Sequence, residues 1–199
     1  MALPAVLFLV LLTSVLAGCG RGQADTQTYS GTGKTGEPEE TEEGEYTLTT
    51  KVTDVINDPA FEDYGRLIFP VDRSIDGGLE LQDVGDILIW YNNVNPERTV
   101  EIVNYMKNQV TSGEQIFYDI YTDEEKEEDP EKEDTGLFFF RGEPGAKTAV
   151  VNAGGGFVYV AAMHDSFPQA LELVRRGYNA FALIYRPGAD TACGRRNRQ

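Results

Sequence analysis

The chain has 199 residues and a formal net charge of -16, set by 33 acidic against 17 basic side chains. Phosphate recognition depends on Lys and Arg neutralising backbone charge, so this balance argues against nucleic acid as a partner. It also opposes an anionic membrane surface, so any membrane attachment is expected to be covalent. The two cysteines, Cys19 and Cys193, lack the paired spacing of a zinc site and are not expected to form a disulfide.

Residues 1–18 read as a targeting segment. Ala5 to Ala17 is apolar except for Thr13 and Ser14. A bilayer span needs about 20 such residues, whereas this length suits a signal-peptide core. The segment ends in Leu16-Ala17-Gly18-Cys19, which resembles the lipobox of bacterial lipoproteins. The resemblance implies a diacylglycerol anchor on Cys19 and a cell-membrane location on the extracytoplasmic face. Met1-Ala2-Leu3-Pro4 departs from the usual pattern, because it carries only its terminal amine where a basic stretch is common.

Residues 19–45 form an acidic, Gly- and Thr-rich stretch with too little apolar surface to offset ordering entropy, and are expected to be a disordered tether. Two phosphate-loop patterns fall inside it. Gly31, Gly33 and Gly36 fit GxGxxG, and Gly33-Lys34-Thr35 fits the end of a Walker loop, but Thr28 stands where the first glycine belongs. Neither pattern sits between a strand and a helix, so nucleotide binding is rejected on context.

Residues 46–122 have the patterning of a small α+β leader. Asp86 to Tyr91 is an apolar run suited to burial. Asn95-Pro96 is a cap and first-turn pair, and Val100, Val103, Met106 and Val110 then recur at helical spacing until Gly113. Gln115 to Tyr121 alternates as a strand does, with Ile116, Tyr118 and Ile120 on one face. Residues 123–135 carry a run of acids expected to be an exposed loop. They lack the spaced carboxylates and the glycine of an EF-hand, and no metal or other cofactor is expected.

From residue 136 the signal sharpens. Leu137 to Phe140 reads as a strand, Gly142 to Gly145 as a turn, and Thr148 to Val151 as a second strand. Gly154-Gly155-Gly156-Phe157 breaks that strand. A helix is predicted over Pro168 to Arg176, stopped by Gly177, with Ala170, Leu171 and Val174 as its apolar face. Tyr178 to Tyr185 is a nearly charge-free run, the pattern of a parallel strand covered on both faces. Strand, glycine loop, helix and strand make a βαβ unit, and the fold class is α/β.

The stretch from Tyr118 to Ala192 resembles α/β-hydrolases of the bacterial esterase and lipase type, whose oxyanion loop reads PGGGF or HGGGF. Asn152-Ala153-Gly154-Gly155-Gly156-Phe157, His164-Asp165-Ser166-Phe167-Pro168 and the strand Tyr178 to Arg186 carry the likeness. The resemblance implies that residues 136–193 begin a hydrolase sheet that stops before the nucleophile strand. It also implies that Gly155, Gly156 and Phe157 supply amide donors to a developing oxyanion, with a small-molecule or glycan ester as substrate. Ala153 stands where the motif has His or Pro. No GxSxG occurs, and Ser14, Ser30, Ser74, Ser112 and Ser166 all lack its flanking glycines. The only histidine, His164, precedes any possible nucleophile elbow and is expected to be structural or at a pocket rim. Residues 194–199 form a basic tail with no apolar face and read as an aberrant end, so this chain is expected to be an inactive fragment. The expected cost is an open apolar edge on Thr148 to Val151. The alternative is a non-enzymatic surface lipoprotein that binds glycan, with Trp90 and Tyr91 available to stack on sugar rings although a core position is expected for them.

Overall fold

The computed structural model describes residues 44–70, 73–91 and 94–187. The lipobox cysteine, the tether up to residue 43, Cys193 and the basic tail lie outside the described residues. No helix among the described residues is long and apolar enough to cross a membrane.

The first part of the chain is held by short helices. Helix α1 (Val52–Ile56) is followed by a 3₁₀ segment, Pro59–Ile68, entered through Asp58, whose side chain accepts from the Ala60 amide at 2.8 Å. Glu62 interrupts that segment with φ 45°. A second 3₁₀ segment, Leu81–Ile87, buries Leu81 and Val84. Helix α2 (Pro96–Thr111) begins as the sequence predicts. Asn95 caps it by accepting from the Arg98 amide at 2.6 Å, and Gly113 follows its end at φ 83°. Val103 and Met106 are buried, joined by Ile102 and Thr99, while Val100 and Val110 are only partly covered.

Tyr46 fastens the start of this region to α2. Its backbone N–H donates to Asn104 Oδ1 at 2.8 Å, and its carbonyl accepts from Asn104 Nδ2 at 2.9 Å. Its hydroxyl donates to Asp58 at 2.5 Å, and Lys107 donates to the same carboxylate at 2.9 Å. Burial works against the Asp58 carboxylate. The hydrogen bonds from Tyr46, the Ala60 amide and Lys107 nevertheless hold its pKa below the usual carboxylate value.

Three sequence expectations are corrected here. The run Asp86 to Tyr91 is not a buried segment: Leu88 is fully buried, but Ile89 is 73 % and Trp90 53 % exposed. The predicted strand Gln115 to Tyr121 shrinks to β1 (Phe117–Tyr118), because only two residues find a partner on the next strand. The acidic stretch is not a loop at its start. Helix α3 (Asp123–Glu128) forms there behind a capping box in which the Thr122 hydroxyl accepts from the Glu125 amide and the Glu125 carboxylate accepts from the Thr122 amide. Three acids in its first turn also complement the positive end of the helix dipole.

The sheet is a four-stranded mixed one, of order β1-β2-β4-β3. Strands β2 (Gly136–Phe140) and β4 (Asn179–Ile184) pair antiparallel, whereas β3 (Thr148–Asn152) pairs parallel to β4. Helix α4 (Ser166–Arg175) connects β3 to β4, completing the predicted βαβ unit. It starts two residues earlier than the sequence suggests, because Pro168 is tolerated inside a first turn whose amides need no intrahelical partner. Gly177, at φ 81°, ends it as expected.

One face of the sheet is dry. Across it large residues meet small ones: Phe138 lies opposite Ala182, and Phe140 opposite Ala180. Phe167 of α4 packs over both phenylalanines, with ring centroids 5.0 and 5.4 Å away, while Tyr105 of α2 stacks on Phe140 at 5.7 Å. On the other face Phe139 and Phe181 stack at 4.6 Å and remain partly accessible. The expectation of strands covered on both faces is therefore met on one face only. β3 is the end strand of the sheet among the described residues, and on its exposed face Val150, 61 % accessible, lies between Thr148 and Asn152.

Candidate functional site

The glycine loop leaves the C-terminal end of β3 and passes through residues 154–165 to α4. Its backbone adopts conformations that side chains disfavour: φ is 145° at Gly155, 60° at Gly156 and 61° at Phe157. Gly155 has a steric reason to be glycine, since a Cβ there would sit 1.9 Å from the Tyr159 carbonyl oxygen. A Cβ on Gly156 would meet nothing within 4 Å.

The loop's carbonyls are used internally. Gly155 O accepts from the Val158 amide at 3.0 Å and the Tyr159 amide at 3.4 Å, and Gly154 O accepts from the Ala161 amide at 3.1 Å. Its amides behave differently. The Gly154 N–H donates to Asp165 Oδ2 at 2.7 Å. The N–H groups of Gly155, Gly156 and Phe157 have no acceptor among the described residues. Successive amides left free in this way are available to an anionic oxygen. The turn is accessible, with Phe157 61 % exposed.

Asp165 is the residue that sequence reasoning left without a role. Placed just before α4, it suggests a helix cap, but it makes no cap bond. Its Oδ2 turns back to the Gly154 amide, and its Oδ1 accepts from Gln169 at 2.7 Å. These bonds tie the loop to α4. They also place a carboxylate one residue from the free amides, which weakens the local field for an anion.

An aromatic ledge flanks the loop. Trp90 donates its indole N–H to the Tyr159 hydroxyl, and the Arg73 guanidinium lies over both rings, 5.4 Å from Trp90 and 4.7 Å from Tyr159. The Phe157 ring lies 5.8 Å from Tyr185, whose hydroxyl donates to the Tyr159 carbonyl at 3.3 Å. Burial, then the nearby Asp165 charge, raises the pKa of Tyr91; burial also leads the rise at Tyr185. The core position expected for Trp90 is thus overturned. Its apolar neighbours suggested burial, but they belong to a bend that turns Ile89 and Trp90 outward.

His164 packs edge-on against Tyr91 with ring centroids 5.8 Å apart, and is 9 % exposed with its Nε2 3.1 Å from the Val84 carbonyl oxygen. Burial lowers its pKa, and the Val84 bond opposes that only in part. It is not presented to the free amides as a base would be. Ser166 is fully buried, and its hydroxyl has no hydrogen-bond partner among the described residues. Two cavities are lined by residues other than Gly155, Gly156 and Phe157. One, of about 1020 Å³, is rimmed by Glu62, Asp63, Glu114, Asp119, Asp123 and Glu133, and the other, of about 330 Å³, lies between α2 and the His164 turn. Among the described residues no group of three or more His, Cys, Asp or Glu side chains is placed to hold a metal ion.

Comparison with family models, curated proteins and solved structures gives no match to this chain, so the site is read from its own geometry.

Proposed function

We propose that this chain carries the oxyanion-binding part of an α/β-hydrolase-like site for carboxylic esters, on a protein anchored through a lipid on Cys19 at the extracytoplasmic face of a cell membrane. The observation that supports the reading is the set of three consecutive N–H groups at Gly155, Gly156 and Phe157 that find no acceptor among the described residues. They follow a parallel strand and precede a helix, the place where the hydrolase fold draws oxyanion donors from the loop between its third strand and first helix. No GxSxG occurs in the 199 residues, and the only histidine is turned to Val84. The chain therefore supplies charge stabilisation but not a nucleophile, and no metal or organic cofactor enters the proposal.

The test joins binding to turnover. Methylphosphonate, a stable tetrahedral oxyanion, should bind with measurable heat in calorimetry. Hydrolysis of p-nitrophenyl acetate should show no component sensitive to a serine reagent. An absence of binding, or serine-dependent turnover, defeats the reading.

A second reading rests on the exposed ledge. Trp90, with the Arg73 guanidinium over its ring, and Phe157 are both more than half exposed, and exposed aromatics of this kind can stack on sugar rings. A glycan screen in which Trp90→Ala abolishes a hit, with methylphosphonate binding absent, favours a non-enzymatic glycan-binding lipoprotein.

A further inference from the structure

The cavity of about 330 Å³ between the N-terminus of α2 and the turn before α4 has the size of a small-ligand pocket. Its walls combine apolar surface from Val94, Met163 and Pro168 with polar groups from Asn95, Arg98, Thr99 and His164. Among the described residues two of those polar atoms, His164 Nδ1 and Arg98 Nη1, are enclosed without a hydrogen bond.

His164 is nine-tenths buried, and its Nε2 faces a carbonyl oxygen that can only accept. Nε2 therefore carries the ring proton, and Nδ1 is left as a bare acceptor. That nitrogen is enclosed and has no hydrogen-bond partner among the described residues. Val84, which takes the other ring nitrogen, does not line the cavity, whereas His164 does.

Arg98 is the complementary feature. Its Nη1 is also enclosed without a hydrogen bond, 3.3 Å from Glu101 Oε2. Glu101 is shared, because its other oxygen accepts from Arg175. Arg175 and Arg176 both pair with Glu172, so three guanidinium groups divide two carboxylates in a protein of net charge -16. Glu97, in the first turn of α2, does not line the cavity. The N-terminus of this 16-residue helix adds a positive dipole end at the same wall.

A buried acceptor without a partner among the described residues, lining the same cavity as a guanidinium that shares its carboxylate with Arg175, calls for a ligand that offers both a hydroxyl hydrogen and an anionic oxygen. We propose that this cavity binds a small 2-hydroxycarboxylate, its carboxylate on Arg98 and its hydroxyl donating to Nδ1 of His164. The proposal goes beyond the oxyanion loop and does not depend on it. A solvent-filled cavity is the competing outcome, since buried water commonly satisfies such groups.

The chain contains one histidine, so its imidazole ¹⁵N signals report this site alone. The full 199-residue chain is titrated with lactate and with propanoate at constant ionic strength. Lactate should shift the Nδ1 signal saturably, and propanoate, lacking the hydroxyl, should bind about five- to ten-fold more weakly. Arg98→Gln should abolish saturable binding of both. His164→Gln keeps a side-chain N–H for the Val84 carbonyl but offers no acceptor at the Nδ1 position, so backbone amide shifts should show lactate and propanoate binding equally. No saturable shift with lactate, equal affinities for the two anions on the unaltered chain, or unchanged binding in Arg98→Gln would overturn the proposal. If His164→Gln fails to fold, the lactate-to-propanoate ratio and Arg98→Gln decide it.

Discussion

Substituting alanine at the two central loop glycines separates steric necessity from simple conformational preference. At Gly155 the added Cβ would lie 1.9 Å from the Tyr159 carbonyl oxygen and 2.8 Å from its carbon, at a φ of 145°. An ordinary carbon–oxygen contact needs over an ångström more, so the Tyr159 peptide or the loop must move. Overpacking of this kind costs about 1–3 kcal/mol, and holding a non-glycine residue in a disfavoured backbone region about 1–3 kcal/mol more. Gly155→Ala should therefore lose about 2–6 kcal/mol. At Gly156 the φ of 60° is left-handed and nothing lies within 4 Å of the new methyl. Gly156→Ala should cost about 1–2 kcal/mol for chirality, partly offset by a stiffer unfolded chain. Denaturant unfolding of both variants gives the comparison directly, with the slope checked for two-state behaviour. Equal losses at the two sites, or a larger one at Gly156, would refute the loop geometry argued above.

Phe138→Ala removes a fully buried ring packed against Tyr64, Phe117 and Phe167 at 5.8, 5.1 and 5.0 Å, and should cost about 3–5 kcal/mol in the same assay. Phe157→Gly should be neutral or stabilising by up to about 1 kcal/mol, because the residue sits at φ 61° with an exposed ring; a clear loss would mean that the ring carries packing. Burial lowers the His164 pKa in the folded chain, so between that value and the ordinary 6.5 the unfolded chain binds more protons. His164's contribution to stability should accordingly be complete above pH 6.5 and decline as the pH falls through that window. His164→Gln should flatten this part of the profile, and an imidazole titrating at or above 6.5 by NMR would contradict it.

Local chemistry made much of the fold readable. Asn95-Pro96 marks the start of α2 and Gly177 the end of α4 because capping and left-handed backbone leave residue-level signatures. The βαβ unit was readable because β3, the glycine break, α4 and β4 succeed one another within 40 residues. Long-range effects were hidden. The strand predicted from Gln115 shrank to two residues because pairing needs a partner and alternation alone does not supply one. Trp90 looked like core because its neighbours are apolar, and only the bend after the 3₁₀ segment explains its exposure. The capping box that makes a helix of Asp123–Glu128 was legible in Thr122 and Glu125, but the density of like charges obscured it. In the site, the glycines were evident, whereas the bond from Gly154 to Asp165 crosses eleven residues and has no sequence signature.

The most direct test asks whether the free amides act as one donor set. In a ¹⁵N-labelled chain titrated with methylphosphonate, the Gly155, Gly156 and Phe157 amide protons should move downfield together along one saturation curve, while Gly154, already bonded to Asp165, moves little. Shifts confined to other residues, or three amides that stay still while phosphonate saturates elsewhere, would contradict the account.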